Sequence, residues 1–235
     1  MPLEIRDLDD LVQHVRRHIS SLADTTYLLG LCGEFVQKER HDATYIWALD
    51  SLSSQATSGV TYETVGDRFL HDWNQAYYRD PKHRGFDSTL RSDLKEIRES
   101  CSAEMDALSQ KVLGELNGDD ISLSTKLFET FGQRRSIAWT GASKMLNVTL
   151  PHVFMIWDSS IRDSYHLLHE DHISGDYVAC YSAFMKQSNQ IAKEILEKVP
   201  EGKLAELHPT YALSKFKKTL AKMMDEANYM TFSWK

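Results

Sequence analysis

Along most of this 235-residue chain, apolar positions recur every three or four residues. That spacing puts them on one face of a helix. Residues 7–19 carry Leu8, Leu11, Val12 and Val15 on such a face, with Arg16, Arg17 and His18 toward the end, and predict a capped amphipathic helix. A second, more apolar helix is predicted over 22–36, where Gly30 and Gly33 allow a close neighbour, and a third over 43–52. Residues 53–59 read as a loop by composition. The helical period returns over 65–78 with Phe69, Leu70, Trp73 and Tyr77, followed by a turn-rich connection at 80–87.

The second half continues in the same way. Residues 89–116 predict one long helix or two broken ones, and Asn117-Gly-Asp-Asp reads as a stop followed by an N-cap. Helices follow over 121–132 and 135–148. Pro151 then breaks the chain before the apolar run Val153-Phe-Met-Ile-Trp157. Asp158 starts a helix to about 168. Asp176 starts a long one whose face carries Tyr177, Tyr181, Phe184, Ser188, Ile191 and Ile195, ending at Pro200-Glu-Gly202. The last helix is predicted over 213–229. With no series of alternating segments, the chain reads as an all-α fold. It is taken as one unit over 1–235 built from two helical lobes, whose boundary falls at 53–59 or 81–87.

Composition adds bounds to this picture. With 42% hydrophobic and 26% charged residues the balance is that of a globular chain with a sizeable core. The formal charge of −7 weighs against a nucleic-acid partner, but a local basic patch is enough for phosphate binding. Basic residues do cluster, at Arg134-Arg135 with Lys144 and over 215–222, the latter read as a solvated face. Cys32, Cys101 and Cys180 lie far apart, which predicts reduced thiols and no metal cluster. His166, His169 and His172 with Glu170 and Asp171 have ligand-like spacing, yet they sit where a loop is predicted, and no metal or other cofactor is called for. Nothing reads as a signal peptide or membrane span, so a cytoplasmic monomer is expected.

The chemistry concentrates in 139–162. Lys144 follows Thr140-Gly141-Ala142-Ser143, which reads as a small-residue turn whose amides face a phosphate. Asp158 closes an apolar run and opens a helix. A lysine can attack an anomeric carbon, and a carboxylate can stabilise positive charge developing on the sugar. Asp158 is also a good helix cap, and Lys144 also reads as a phosphate anchor or a solvated residue.

Gly141-Ala-Ser-Lys144 and Phe154-Met-Ile-Trp-Asp158-Ser-Ser-Ile-Arg162 together resemble the hairpin end, lysine and aspartate segment of the helix-hairpin-helix DNA glycosylases. The archaeal 8-oxoguanine branch is the most similar. The likeness covers about residues 134–165. It departs from the family in having one hairpin glycine and a short interval of 14 residues from lysine to aspartate, which makes the hairpin degenerate. What the resemblance implies is excision of a modified base from double-stranded DNA, an oxidised purine or a hypermodified base of the phage type. Asp158 and Lys144 would be catalytic, the lysine through a Schiff base with an associated lyase step. Thr140, Gly141, Ala142 and Ser143 would hold phosphates, with Arg134 and Arg135 read either as further phosphate contacts or as solvated residues. For a base pocket the candidates are Gln133, at a base edge, and Trp139 and Trp157, each of which reads as core packing or as a stacking partner of an extruded base. The competing expectations are a non-catalytic nucleic-acid-binding module of this fold and a helical interaction protein.

Overall fold

The computed structural model describes residues 8–38, 42–55, 59–166, 176–210 and 217–233, and all regular structure among them is helical. No helix is long and apolar enough to cross a membrane. In order, the helices are α1 (Leu8–Leu22), α2 (Thr25–Lys38), α3 (Asp42–Ser53), α4 (Tyr62–Trp73), α5 (Gln75–Arg79), α6 (Leu90–Ser100) and α7 (Ser102–Leu108). After them come α8 (Gly118–Gly132), α9 (Ala138–Thr149), α10 (Ser159–His166), α11 (Tyr177–Leu196), α12 (Glu201–Leu207) and α13 (Leu220–Asn228), the last running into a π turn, Tyr229–Ser233. Short 3-10 turns occupy Pro81–His83 and Phe86–Thr89.

Local chemistry explains most of the boundaries. Asn117 caps α8 through a reciprocal box with Asp120, and Asp176 caps α11 by accepting from the N–H groups of Val178 and Ala179. The helix predicted over 65–78 is two helices, because Asn74 leaves helical geometry at φ −124°, ψ 33°. The segment predicted as one or two helices over 89–116 breaks at Cys101 and ends at 108. The following turn reverses at Gly114, whose φ of 103° favours glycine. Asn189 on α11 anchors it, accepting from Gly114 N–H at 2.8 Å and donating to the Leu116 carbonyl at 3.0 Å. Pro200 does not merely end a helix but opens α12, since a proline at a helix start loses no intrahelical bond. The last helix begins at 220, capped by Thr219, and not at 213; residues 211–216 lie outside the described ones.

One hydrophobic cluster, running from Leu22 to Ala227, includes residues on both sides of 53–59 and of 81–87. Neither expected lobe boundary divides the core. Every residue of α13 is buried, including Lys222, Asp225, Glu226 and Asn228. The basic run expected as a solvated face is therefore partly interior: Lys218 is 4% exposed and Lys222 1%.

Candidate active site

The expected turn at Thr140–Ser143 is not a turn. These residues lie inside α9, and Gly141, Ala142 and Ser143 are buried. Thr140 is in the first turn, while the amides of Ala142 and Ser143, beyond it, bond back to carbonyls four residues earlier. The chain makes a hairpin turn at 133–137, between α8 and α9, and it exits through Ala138 in the left-handed region at φ 58°. Gly132 permits this close return: a Cβ there would stand 2.0 Å from the ring of Trp139.

Two polar residues on the buried face of α9 hold the apolar run 153–157. Ser143 Oγ accepts from Trp157 N–H at 3.0 Å, and Asn147 Nδ2 donates to the Phe154 carbonyl at 2.6 Å. A buried extended segment needs such partners for its backbone when no neighbouring strand supplies them. The staple brings the end of this run, and with it Asp158, to the level of Lys144 on the same helix. The two residues, 14 apart in sequence, line one cavity of about 230 Å³.

The geometry within the cavity is specific. Lys144 Nζ donates to the carbonyl of Trp73, the last residue of α4. That carbonyl is the negative end of α4, a favourable place for an ammonium. Asp158 Oδ1 accepts from Ile161 N–H at 2.9 Å and so caps α10, while Oδ2 accepts from Ser233 Oγ at 3.0 Å. Phe35, Trp73 and Tyr229 form aromatic walls, with Ile156 and Ile161 beside them and Asp72, Gln75 and Ala76 completing the lining with Lys222 and Asp225. Lys222 Nζ is 2.7 Å from Asp225 Oδ2 and lies 4.8–5.1 Å from the ring centres of Tyr45, Trp73 and Phe35. Burial works against this ammonium, but Asp225 and Glu226, with Tyr45 and Asp42 behind them, outweigh it and hold the amine above the ordinary lysine range. Lys222 is therefore a fixed cation.

The other expected residues fall elsewhere. Trp157 is a core residue, 2% exposed, packed against Phe128, Tyr177, Tyr181 and Phe184. Trp139 stacks on Tyr177 with centroids 5.3 Å apart and planes at 5°. Gln133 is exposed and bonded to Glu129. None of the three is among the cavity-lining residues, whose aromatic members are Phe35, Trp73 and Tyr229. Arg134 is tied to Glu96 at 2.7 Å and Asp93 at 3.6 Å, whereas Arg135 is exposed.

Sequence reading missed Lys222 and Asp225, although ionisable residues three apart in the otherwise apolar Leu220-Ala-Lys-Met-Met-Asp are a signal of a buried pair. Next to the cavity, Glu226 bonds His208 and Lys218, each at 2.9 Å. Burial raises this carboxyl, but Lys218, His208 and Lys222 together bring it down to about 2. Cys32, His208 and Glu226 place donor atoms within 4.8 Å of one another, a ligand-like trio, but its carboxylate is already neutralised by Lys218. His166 is the last described residue of the expected His-rich segment; His169 and His172 lie outside the described residues.

Comparison of the chain with protein-family models, with curated proteins and with solved structures gives no match in any of the three.

Proposed function

We propose that the protein is a DNA glycosylase that removes a modified base, with Asp158 stabilising the sugar cation and Lys144 attacking the anomeric carbon. The observation that carries this reading is the meeting of Lys144 and Asp158 in one aromatic-walled cavity. Its volume, about 230 Å³, lies below the ~300–1,000 Å³ common for drug-sized ligands, which suits a single flipped heterocycle. Phe35, Trp73 and Tyr229 would supply aromatic contacts to that ring. Lys144 then carries the sugar as an imine, and loss of the 3′ phosphate by elimination is the lyase step.

Borohydride trapping on labelled duplexes carrying 8-oxoguanine, uracil, or hydroxymethylated or glucosylated cytosine tests the reading, with alkali cleavage in parallel. The expected result is a trapped adduct on at least one duplex, absent in Lys144→Ala. Alkali-sensitive sites without trapping would keep the glycosylase and remove the imine. Neither signal on any duplex would reject the activity.

A second reading has its own support. Both Asp158 oxygens and the Lys144 amine already have partners within the fold. A non-catalytic nucleic-acid-binding module would need nothing more of them, and it predicts duplex binding with no excision.

A further inference from the structure

Between the cavity mouth and the hairpin turn lies a strap, residues 75–86, whose cations the fold does not use. Arg79, Lys82 and Arg84 are exposed there, and Arg135 is exposed on the hairpin turn beside it. Among the described residues none of these four forms an ion pair, whereas Arg91, Lys126, Arg134, Lys218 and Lys222 each meet a carboxylate. In a chain with 34 acidic and 27 basic residues, four unpaired cations on one ledge are a local reversal of charge.

The ledge is rigidly built. Tyr77 Oη donates to the Arg135 carbonyl at 2.5 Å, and Tyr78 Oη to the Ser136 carbonyl at 2.8 Å. His83 stacks on Tyr77 at 4.1 Å and 22°, and Tyr78 on His71 at 4.5 Å and 19°. Phe86 leans on His83, and the Arg135 guanidinium lies 5.9 Å from the Phe86 ring centre. The carboxylates nearby are occupied: Asp80 accepts from Lys82 N–H, and Asp87 faces His71 at 3.6 Å. Gln75 and Ala76, at the start of the strap, also line the cavity.

We propose that the strap, through Arg79, Lys82 and Arg84 together with Arg135, binds the phosphates of one strand of duplex DNA. The choice of DNA as the polyanion rests on the glycosylase reading; the presence of a polyanion site rests on the unpaired cations. A backbone lying along these side chains puts one nucleotide at the mouth formed by Gln75 and Ala76. Guanidinium forks suit phosphate oxygens, and exposed cations release counterions on binding, so affinity falls steeply with salt.

Anisotropy of a fluorescein-labelled, unmodified duplex of about 20 base pairs, titrated between about 50 and 200 mM KCl, tests the proposal. The variants are Arg79→Ala/Lys82→Ala/Arg84→Ala and, as control, Lys186→Ala/Lys193→Ala, which removes exposed cations of α11. With about 0.9 counterion released per phosphate, the triple variant should show a log–log slope shallower by about 2 to 3 and a Kd at least ~10-fold weaker at low salt. Its melting temperature and the control's slope should match the wild type. No duplex binding by the wild type, an unchanged slope in the triple variant, an equal loss in the control, or tighter binding to phosphatidylserine vesicles than to the duplex would each overturn the proposal. The two readings fail separately. Excision with an unchanged slope removes the ledge and keeps the glycosylase, whereas a lost slope without excision of any base keeps the ledge and removes the glycosylase.

Discussion

Asp158 holds a helix with one oxygen and faces the cavity in the same carboxyl group, and a single substitution separates the two roles. Asn keeps an oxygen for the Ile161 N–H and is as good a cap as Asp. Asp158→Asn should therefore melt within ~0.5 kcal/mol of the wild type while single-turnover excision falls by at least ~100-fold. A variant that excises at the parental rate would remove the proposed role. His18 makes a second prediction at this scale. It is buried between α1 and the C-terminal turn, bonded to Asn228 at 2.9 Å. Burial, opposed by that bond and assisted by His14, lowers its pKa to about 4. The unfolded imidazole binds its proton first as pH falls, so stability is full above about pH 6.5 and declines toward pH 4, by up to about 2–3 kcal/mol. Urea midpoints measured across that range should show the loss, and His18→Gln should flatten it. Residue chemistry of this kind was legible in part. Lys144 and Asp158 stood out in the sequence; Lys222 and Asp225 did not, because a lysine in a basic run is ordinarily solvated and that outweighs the signal of the apolar residues between the two.

At the scale of elements, the decisive pair is α9 and the extended run it holds. Ser143 and Asn147, four residues apart, supply bonds that a sheet would otherwise provide. Asn147→Ala leaves the buried Phe154 carbonyl without this donor and should cost about 1–3 kcal/mol in a urea titration. Since the run carries Asp158 into place, excision should fall as well, although Asn147 does not line the cavity. Full activity in a destabilised Asn147→Ala would mean that Asp158 is positioned by its own cap alone. Periodicity located nearly every helix, because one-sided burial imposes it. The turn expected at 140–143 is helix, since glycine marks both turns and close packing: Gly141 packs inside α9, while Gly132 admits the Trp139 ring. The breaks at Asn74 and Cys101 carry neither Gly nor Pro; Asn is the weaker helix-stop signal and Cys is none.

For the molecule as a whole, α13 ties the fold and the cavity together. It is buried throughout and holds Lys222, Asp225 and Glu226 in a network that reaches Lys218, His208 and Asp42. Lys222→Met leaves its carboxylates without that cation and should destabilise the protein by about 3–5 kcal/mol at neutral pH. In that variant the folded Asp225 holds its proton more strongly than the unfolded one. The added cost is thus present at neutral pH and shrinks as pH falls toward the carboxylate range. Lys222→Met/Asp225→Leu, which removes both charges, should recover much of the loss. Melting curves of the single and double variants check both statements, and a double variant no better than the single would place the effect in lost packing.

By itself, the sequence determined the all-helical class, most helix boundaries, and the lysine and aspartate on which the proposed chemistry turns. Those follow from periodicity, caps and residue type, which act within a few positions of the chain. Tertiary structure alone decided that Lys144 and Asp158 share a cavity, that its walls are Phe35, Trp73 and Tyr229 and not Trp139 and Trp157, and that a second lysine is sealed into it. These are contacts between distant segments, fixed by which apolar faces meet, and a helical repeat specifies a face without naming its partner.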